Sequence, residues 1–77
     1  MPQPIRMPKL TPSMQEGRIV AWLKSTGDAV EEGEPLLQVE TDKAVMDVES
    51  PQSGTLIAIR QEQGSRVPVN TIIAFVE

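Results

Sequence analysis

The chain has 77 residues, a formal net charge of −4, and no cysteine, histidine or tyrosine. Those absences exclude Cys–His nucleophilic catalysis, disulfide staples and a Cys/His zinc site; if the chain handles a reactive intermediate, the reactive group must come from outside and be held. Its seven cationic residues form no cluster, which leaves no footprint for nucleic acid and no basic run for a membrane surface. The longest apolar run, Ile72 to Val76, is too short to span a bilayer. One small domain is expected, monomeric, marginal in stability at this size, and built on a compact aliphatic core. The two aromatic residues, Trp22 and Phe75, are expected in that core. Met1-Pro2-Gln3-Pro4 lacks the apolar stretch of a secretory signal, which makes the expected location cytoplasmic.

Residues 1–4 carry two prolines and are expected to hang free, with the domain running over 5–77. Ile5-Arg6-Met7 reads as a short strand limited by Pro8. Leu10 to Glu16 is a loop, punctuated by Pro12 and closed by Gly17. Arg18 to Leu23 is β-rich, and Ser25 to Asp28 and Glu31 to Pro35 are turn clusters. Strands are expected over Leu36 to Glu40, Val45 to Glu49, Thr55 to Arg60 and Ile72 to Val76, with a short edge piece at Val67 to Val69. Turn signals recur about every ten residues, and no stretch keeps helical periodicity, which argues for an all-β sandwich or barrel.

The chain repeats. Shifted by 37 residues, Gly17 falls on Gly54, Ala21 on Ala58, Gly27 on Gly64, Val30 on Val67, Leu36 on Ile73 and Val39 on Val76, without a gap. The expected architecture is therefore two similar halves about a pseudo-twofold axis. The same shift sets Lys43 against Arg6, where the chain enters the fold, and just past Glu77, where it leaves. A twofold through a flattened body puts Lys43 and the termini at opposite ends.

Around Lys43 the alternation predicts a hairpin with Asp42 and Lys43 as its two central turn residues. Glu40 then pairs with Val45, Val39 with Met46, Gln38 with Asp47, Leu37 with Val48 and Leu36 with Glu49. Leu37, Val39, Met46 and Val48 share an apolar face, and Gln38, Glu40, Asp47 and Glu49 share a polar one with Leu36 and Val45 mixed in. A lysine on a turn is ordinarily just solvated. This one sits beside the small Ala44 on a hairpin tip, in a chain with no other chemistry, and can be reached by a modifying enzyme.

Glu40-Thr41-Asp42-Lys43-Ala44, with Gly27 sixteen residues before the lysine and Gly54 eleven after, resembles a lipoyl domain. Met7-Pro8-Lys9-Leu10-Thr11-Pro12-Ser13-Met14, then Glu16-Gly17 and Trp22, resembles the opening of lipoyl domains in the acyltransferase component of 2-oxo acid dehydrogenase complexes. The resemblance runs from about Ile5 to Glu77 and implies a flattened β-barrel of two four-stranded antiparallel sheets. It places lipoic acid in amide linkage on Lys43, with Asp42 and Ala44 as flanking recognition residues. The related biotinyl carriers set their lysine between two methionines, so biotin fits Asp42 and Ala44 less well.

The resemblance also implies partners. These are a lipoate-attaching enzyme, a thiamine-diphosphate decarboxylase that loads the arm, an acyltransferase core that passes the acyl group to coenzyme A, and a flavin-dependent dihydrolipoyl dehydrogenase. The pyruvate type fits Leu10 to Met14 best, the acetoin type is close, and the 2-oxoglutarate type fits less well. The chain itself is then a carrier and not an enzyme, and the acyltransferase core lies outside these residues. By its residues alone, Leu10 to Glu16 is a proline-stiffened surface loop. By the resemblance, Leu10, Thr11, Pro12, Ser13 and Met14 lie near the lysine hairpin and help the decarboxylase recognise its carrier. Glu40, Asp42, Asp47 and Glu49 are expected to form an acidic collar, which reads equally as a solvated hairpin face and as a field that steers basic partner surfaces.

Overall fold

The computed structural model describes residues 1–77. The chain forms eight strands: β1 (Gln3–Arg6), β2 (Glu16–Trp22), β3 (Ala29–Val30), β4 (Pro35–Glu40), β5 (Val45–Glu49), β6 (Gly54–Ile59), β7 (Arg66–Pro68) and β8 (Ile72–Val76). They make two four-stranded sheets, ordered β1-β8-β6-β3 and β5-β4-β2-β7, with every neighbouring pair antiparallel.

Advancing each strand by four places turns one sheet into the other, so the repeat is a pseudo-twofold in three dimensions. The equivalence reaches single hydrogen bonds. Gly64 N donates to Ile19 O and Gly27 N to Leu56 O, both at 2.7 Å. The bulges repeat as well: Val20 interrupts the β2–β4 register where Ile57 interrupts β6–β8, and Leu36 interrupts β4–β5 where Ile73 interrupts β1–β8. Gly33 has φ 85° and its counterpart Asn70 has φ 79°, the one non-glycine residue in the left-handed region, where asparagine is tolerated.

The offset is not uniform. It is 37 for β2, β3 and β4, but Val48↔Leu37 corresponds to Ile5↔Ala74, an offset of 43 between β1 and β5. The extra residues lie in the connection from β1 to β2. The twofold counterpart of the hairpin tip is therefore the gap between Glu77 and Met1, and not Arg6 itself.

Three expectations need correction. Gln3 and Pro4 do not hang free: Gln3 pairs with Val76 and Pro4 with Phe75, which extends β1 to the edge of its sheet. Leu36 does not share the polar face. The bulge pairs Pro35 with Glu49 and turns both Leu36 and Leu37 inward, each fully buried. Phe75 is not a core residue. The equivalent bulge buries Ile73 and Ala74 in succession, so Phe75 faces outward beneath the Arg60 guanidinium, 5.4 Å from its ring centre. The short β3 had no expected counterpart. Fourteen buried side chains form a single core, with Trp22 packed against its margin and its Nε1 donating to Gln61 O at 2.9 Å.

The body measures 31 × 19 × 19 Å. β2 starts beside the hairpin tip, where Arg18 pairs with Glu40; β6 starts beside the C-terminus, where Thr55 and Glu77 exchange backbone bonds. The far ends of these two strands meet at the Trp22–Gln61 bond. Tip and termini therefore lie at opposite poles, as the twofold requires.

At the surface, Lys24 Nζ lies 2.9 Å from Glu34 Oε2, and Glu34 Oε1 accepts from Glu31 N at 3.1 Å. The bond from Lys24, then the one from Glu31, holds the Glu34 carboxyl below its ordinary 4.5. Lys24 is raised above its ordinary 10.5, first by the same bond. A lowered carboxyl stabilises the fold above its unfolded value and ceases to do so as pH falls through the folded one. Urea melts are expected to show stability falling below about pH 4.5, with Glu34→Gln flattening that part of the profile. An unchanged acid limb in Glu34→Gln would dismiss the pair as a contributor. Lys24 has the opposite sign: its contribution is present below 10.5 and is lost above it.

Candidate functional site

The tip is built by a residue that the sequence reading passed over. Thr41 Oγ1 accepts from Lys43 N at 3.2 Å and Ala44 N at 3.1 Å, and donates to Ala44 O at 2.9 Å. Thr41 N donates to the same carbonyl at 2.9 Å. A threonine hydroxyl two and three residues ahead of free amides makes a local turn, and that spacing was available in Thr41-Asp42-Lys43-Ala44. Neither Asp42 nor Lys43 has positive φ, so the tip needs neither glycine nor a primed turn. Below it the register is as predicted from Glu40↔Val45 to Leu37↔Val48.

Thr41→Val keeps the shape of the side chain and removes its oxygen, whereas Thr41→Ser keeps the oxygen. The valine variant is expected to speed Lys43 and Ala44 amide exchange about tenfold, the worth of one net hydrogen bond, with serine near the original rate. Residue-resolved exchange measures this. Equal rates in all three proteins would mean that the hydroxyl does not hold the turn.

Lys43 is exposed at this tip and enters no ion pair. Asp42 and Ala44 are exposed on either side of it. The loop from Leu10 comes close: Ser13 Oγ donates to Asp42 Oδ2 at 3.4 Å. Its five candidate residues divide. Pro12 and Ser13 are exposed beside the tip, but Met14 is only 5% exposed and is no surface contact. The absence of a side chain at Gly17 gives Met14 its seat: a Cβ there would lie 2.8 Å from Met14 Cε. Leu10 packs on the core and its N–H donates to Met14 Sδ at 3.2 Å. Thr11 presents no exposed hydroxyl, since its Oγ1 is buried, where it has no hydrogen-bond partner. Leu10 and Met14 thus fasten the loop that offers Pro12 and Ser13.

The acidic collar does not close. Glu40 is paired with Arg18, Nε to Oε1 at 3.1 Å, in a cleft of about 330 Å³ shared with Ser13, Thr41, Asp42 and Arg66. Asp47 and Glu49 line a different cleft, with Pro4, Arg6 and Leu10. The sequence reading missed Arg18 and Arg66 because their approach depends on β2 lying between β4 and β7. Chemically, the site offers one free amine on a hydrogen-bonded tip. It is suited to covalent attachment and not to enclosing a ligand.

A family model described as "Biotin-requiring enzyme", for biotin/lipoyl attachment, matches residues 3–76. The chain belongs to the biotin/lipoyl attachment family. Among relatives in this family, the dihydrolipoyllysine-residue acetyltransferase component of the pyruvate dehydrogenase complex from Rickettsia bellii is 49% identical over 75 residues, which are 96% of this chain and 18% of that protein. The corresponding component of the acetoin cleaving system of Bacillus subtilis is 40% identical over 70 residues, covering 91% of this chain and 18% of the relative. The chain thus spans under a fifth of the length of these relatives. The lipoyl domain of the 2-oxoglutarate dehydrogenase complex from Azotobacter vinelandii has the same fold, with TM-score 0.77 and 28% identity over 96% of this chain and 94% of that one. Kluyveromyces lactis urea carboxylase shares the fold alone, with TM-score 0.83 at 22% identity, covering 100% of this chain and 6% of the other. The resemblance to lipoyl domains and the two-sheet barrel that it implied are both borne out.

Proposed function

We propose that the chain is a lipoyl carrier domain, with lipoic acid in amide linkage to Lys43, serving a pyruvate dehydrogenase complex. The observation that carries this is Lys43 itself: an unpaired, exposed amine on a tip fixed by Thr41, at the pole opposite the termini. The lysine fits the group because an amide needs only an accessible nitrogen. The attaching enzyme supplies an activated lipoyl acyl donor; the Lys43 nitrogen bonds to the acyl carbon, the donor's leaving group departs and a proton is released. When bound, lipoate supplies a dithiolane that carries acyl groups and electrons. The chain's own residues contribute placement. Thr41 holds the tip, Ala44 leaves the amine clear, and Leu10 and Met14 hold Pro12 and Ser13 beside Asp42.

The partners in this reading are the attaching enzyme, a thiamine-diphosphate decarboxylase, an acyltransferase core and dihydrolipoyl dehydrogenase. Support for the pyruvate type comes from the names of relatives near 50% identity, and the acetoin relative at 40% supports that type as the second reading. Coexpression with a lipoate-attaching enzyme and lipoate, or with a biotin ligase and biotin, tests the cofactor by intact mass. A gain matching one lipoyl amide, with none from biotin, is expected. A gain with biotin alone overturns the reading. Rates of reductive acylation by purified pyruvate and acetoin decarboxylases then separate the two types.

A further inference from the structure

Each sheet has two edges, and an open strand edge invites pairing with another chain unless it is short, broken by proline or covered. Three of the four edges here are blunted. β3 has two residues, β7 has three including Pro68, and β1 has four including Pro4. The fourth, β5, has five residues and no proline, and begins two positions after Lys43.

The twofold makes the contrast specific. In an antiparallel ladder, alternate residues direct their backbone groups to the partner strand and the others direct theirs away. Thr41 N bonds Ala44 O, and Ser50 N bonds Glu34 O, so Ala44, Met46, Val48 and Ser50 face β4. Val45, Asp47 and Glu49 therefore turn their N–H groups outward. On β1, Met7 N bonds Thr71 O, so the outward positions are those of Pro2, Pro4 and Arg6. Pro2 and Pro4 are the counterparts of Val45 and Asp47. Proline has removed two outward donors at one pole, and their equivalents survive at the pole that carries Lys43.

Resting on the lipoyl reading above, we infer that the β5 edge is a docking strand for the lipoate-attaching enzyme, which adds an extended, basic segment of its own alongside Val45 to Glu49. Main-chain pairing of this kind fixes register. The edge is about 17 Å long, enough for a five-residue partner. The attaching enzyme is the partner that needs register, because it must bring the bare Lys43 nitrogen to bonding distance of an acyl carbon. Later partners meet the end of an arm whose reach is on the order of 12–14 Å from standard bond lengths, so they need no such alignment. Charge agrees with this occupant. Asp47 and Glu49 are exposed and unpaired on this edge, while Arg6, the cation of the same cleft, donates to Asn70 O at 3.0 Å. Lysine or arginine on the incoming segment would face the two carboxylates as cross-strand pairs.

The test is amide exchange on the Lys43→Arg chain mixed with a lipoate-attaching enzyme, lipoate and ATP. The Val45, Asp47 and Glu49 amides, open in the free chain, are expected to slow about tenfold or more, as hydrogen-bonded amides do. Exchange unchanged at these three positions, with protection confined to residues 10–16, would overturn the inference. As a second arm, Asp47→Pro deletes one outward donor and leaves the β4–β5 ladder whole. It is expected to lower kcat/KM for lipoylation about tenfold, the worth of a main-chain bond or two, at an unchanged melting temperature. Lipoylation of folded Asp47→Pro at the original rate would count against docking. If that variant unfolds, Asp47→Lys with Glu49→Lys replaces it, with the same loss expected. Failure of the unaltered chain to accept lipoate would remove the lipoyl reading and the docking inference together.

Discussion

Lys43→Arg is expected to take up no lipoate at all, and the modification is not expected to move to another lysine. The chain has only three lysines. Lys24 is held against Glu34 at 2.9 Å and its side chain is only 26% exposed, so its nitrogen is already engaged. Lys9 is exposed, but it lies between Pro8 and the anchored Leu10 and not on a strand-supported tip. Arginine keeps the charge and length of the side chain but has no nucleophilic amine. Lys43 makes no side-chain bond within the fold, so the melting temperature of the variant is expected to match that of the unaltered chain. Intact mass and peptide mapping after coexpression with an attaching enzyme decide the matter. A lipoyl group found on Lys9 would show that exposure suffices and that the hairpin does not select.

Gly54→Ala is expected to cost about 3 kcal/mol, large for one methyl group in a domain of this size. An added Cβ would stand 2.6 Å from Glu77 O and 3.0 Å from Glu77 C. Those are backbone atoms, fixed by the reciprocal bonds of Thr55 and Glu77 at 2.8 and 2.9 Å. Relief therefore requires one of the sheet's outgoing ends to shift. The twofold counterpart gives an internal comparison. At Gly17 the Cβ would meet Val39 Cγ1 at 2.5 Å and Met14 Cε at 2.8 Å, both side-chain atoms, and a methionine terminus can move. Gly17→Ala is accordingly expected to cost about half as much, with the displaced Met14 loosening the loop at Ser13. Urea denaturation of both variants measures the difference. A Gly54→Ala cost equal to or below that of Gly17→Ala would contradict the distinction between backbone and side-chain obstruction.

The hairpin register from Glu40↔Val45 to Leu37↔Val48 was legible because polar and apolar residues alternate there, Val45 apart, and a one-residue slip scrambles both faces. The repeat was legible through paired glycines at turns. The bulge at Leu36 was not, since Leu36-Leu37 breaks alternation without showing which residue is extra, and Ile73-Ala74 hides the same device ahead of Phe75. β3 is too short to carry a pattern of its own; only its alignment with Val67 marked Val30. At the site, Lys43 and its neighbours followed from a local motif. The division of the loop into anchors and exposed residues depends on the space above Gly17, and that space is made by strands distant in sequence.

The placement of Lys43 and the termini at opposite poles has a consequence for the volume that an arm can search. In the lipoyl reading proposed above, a pivot at the termini would add the 31 Å body to a side chain and acyl chain reaching on the order of 14 Å. The far end then sweeps a radius of about 45 Å, and one carrier in a sphere of that size amounts to an effective concentration of a few millimolar. In that reading the barrel acts as a rigid boom, and it would widen the search roughly thirtyfold in volume over an arm fixed at its root.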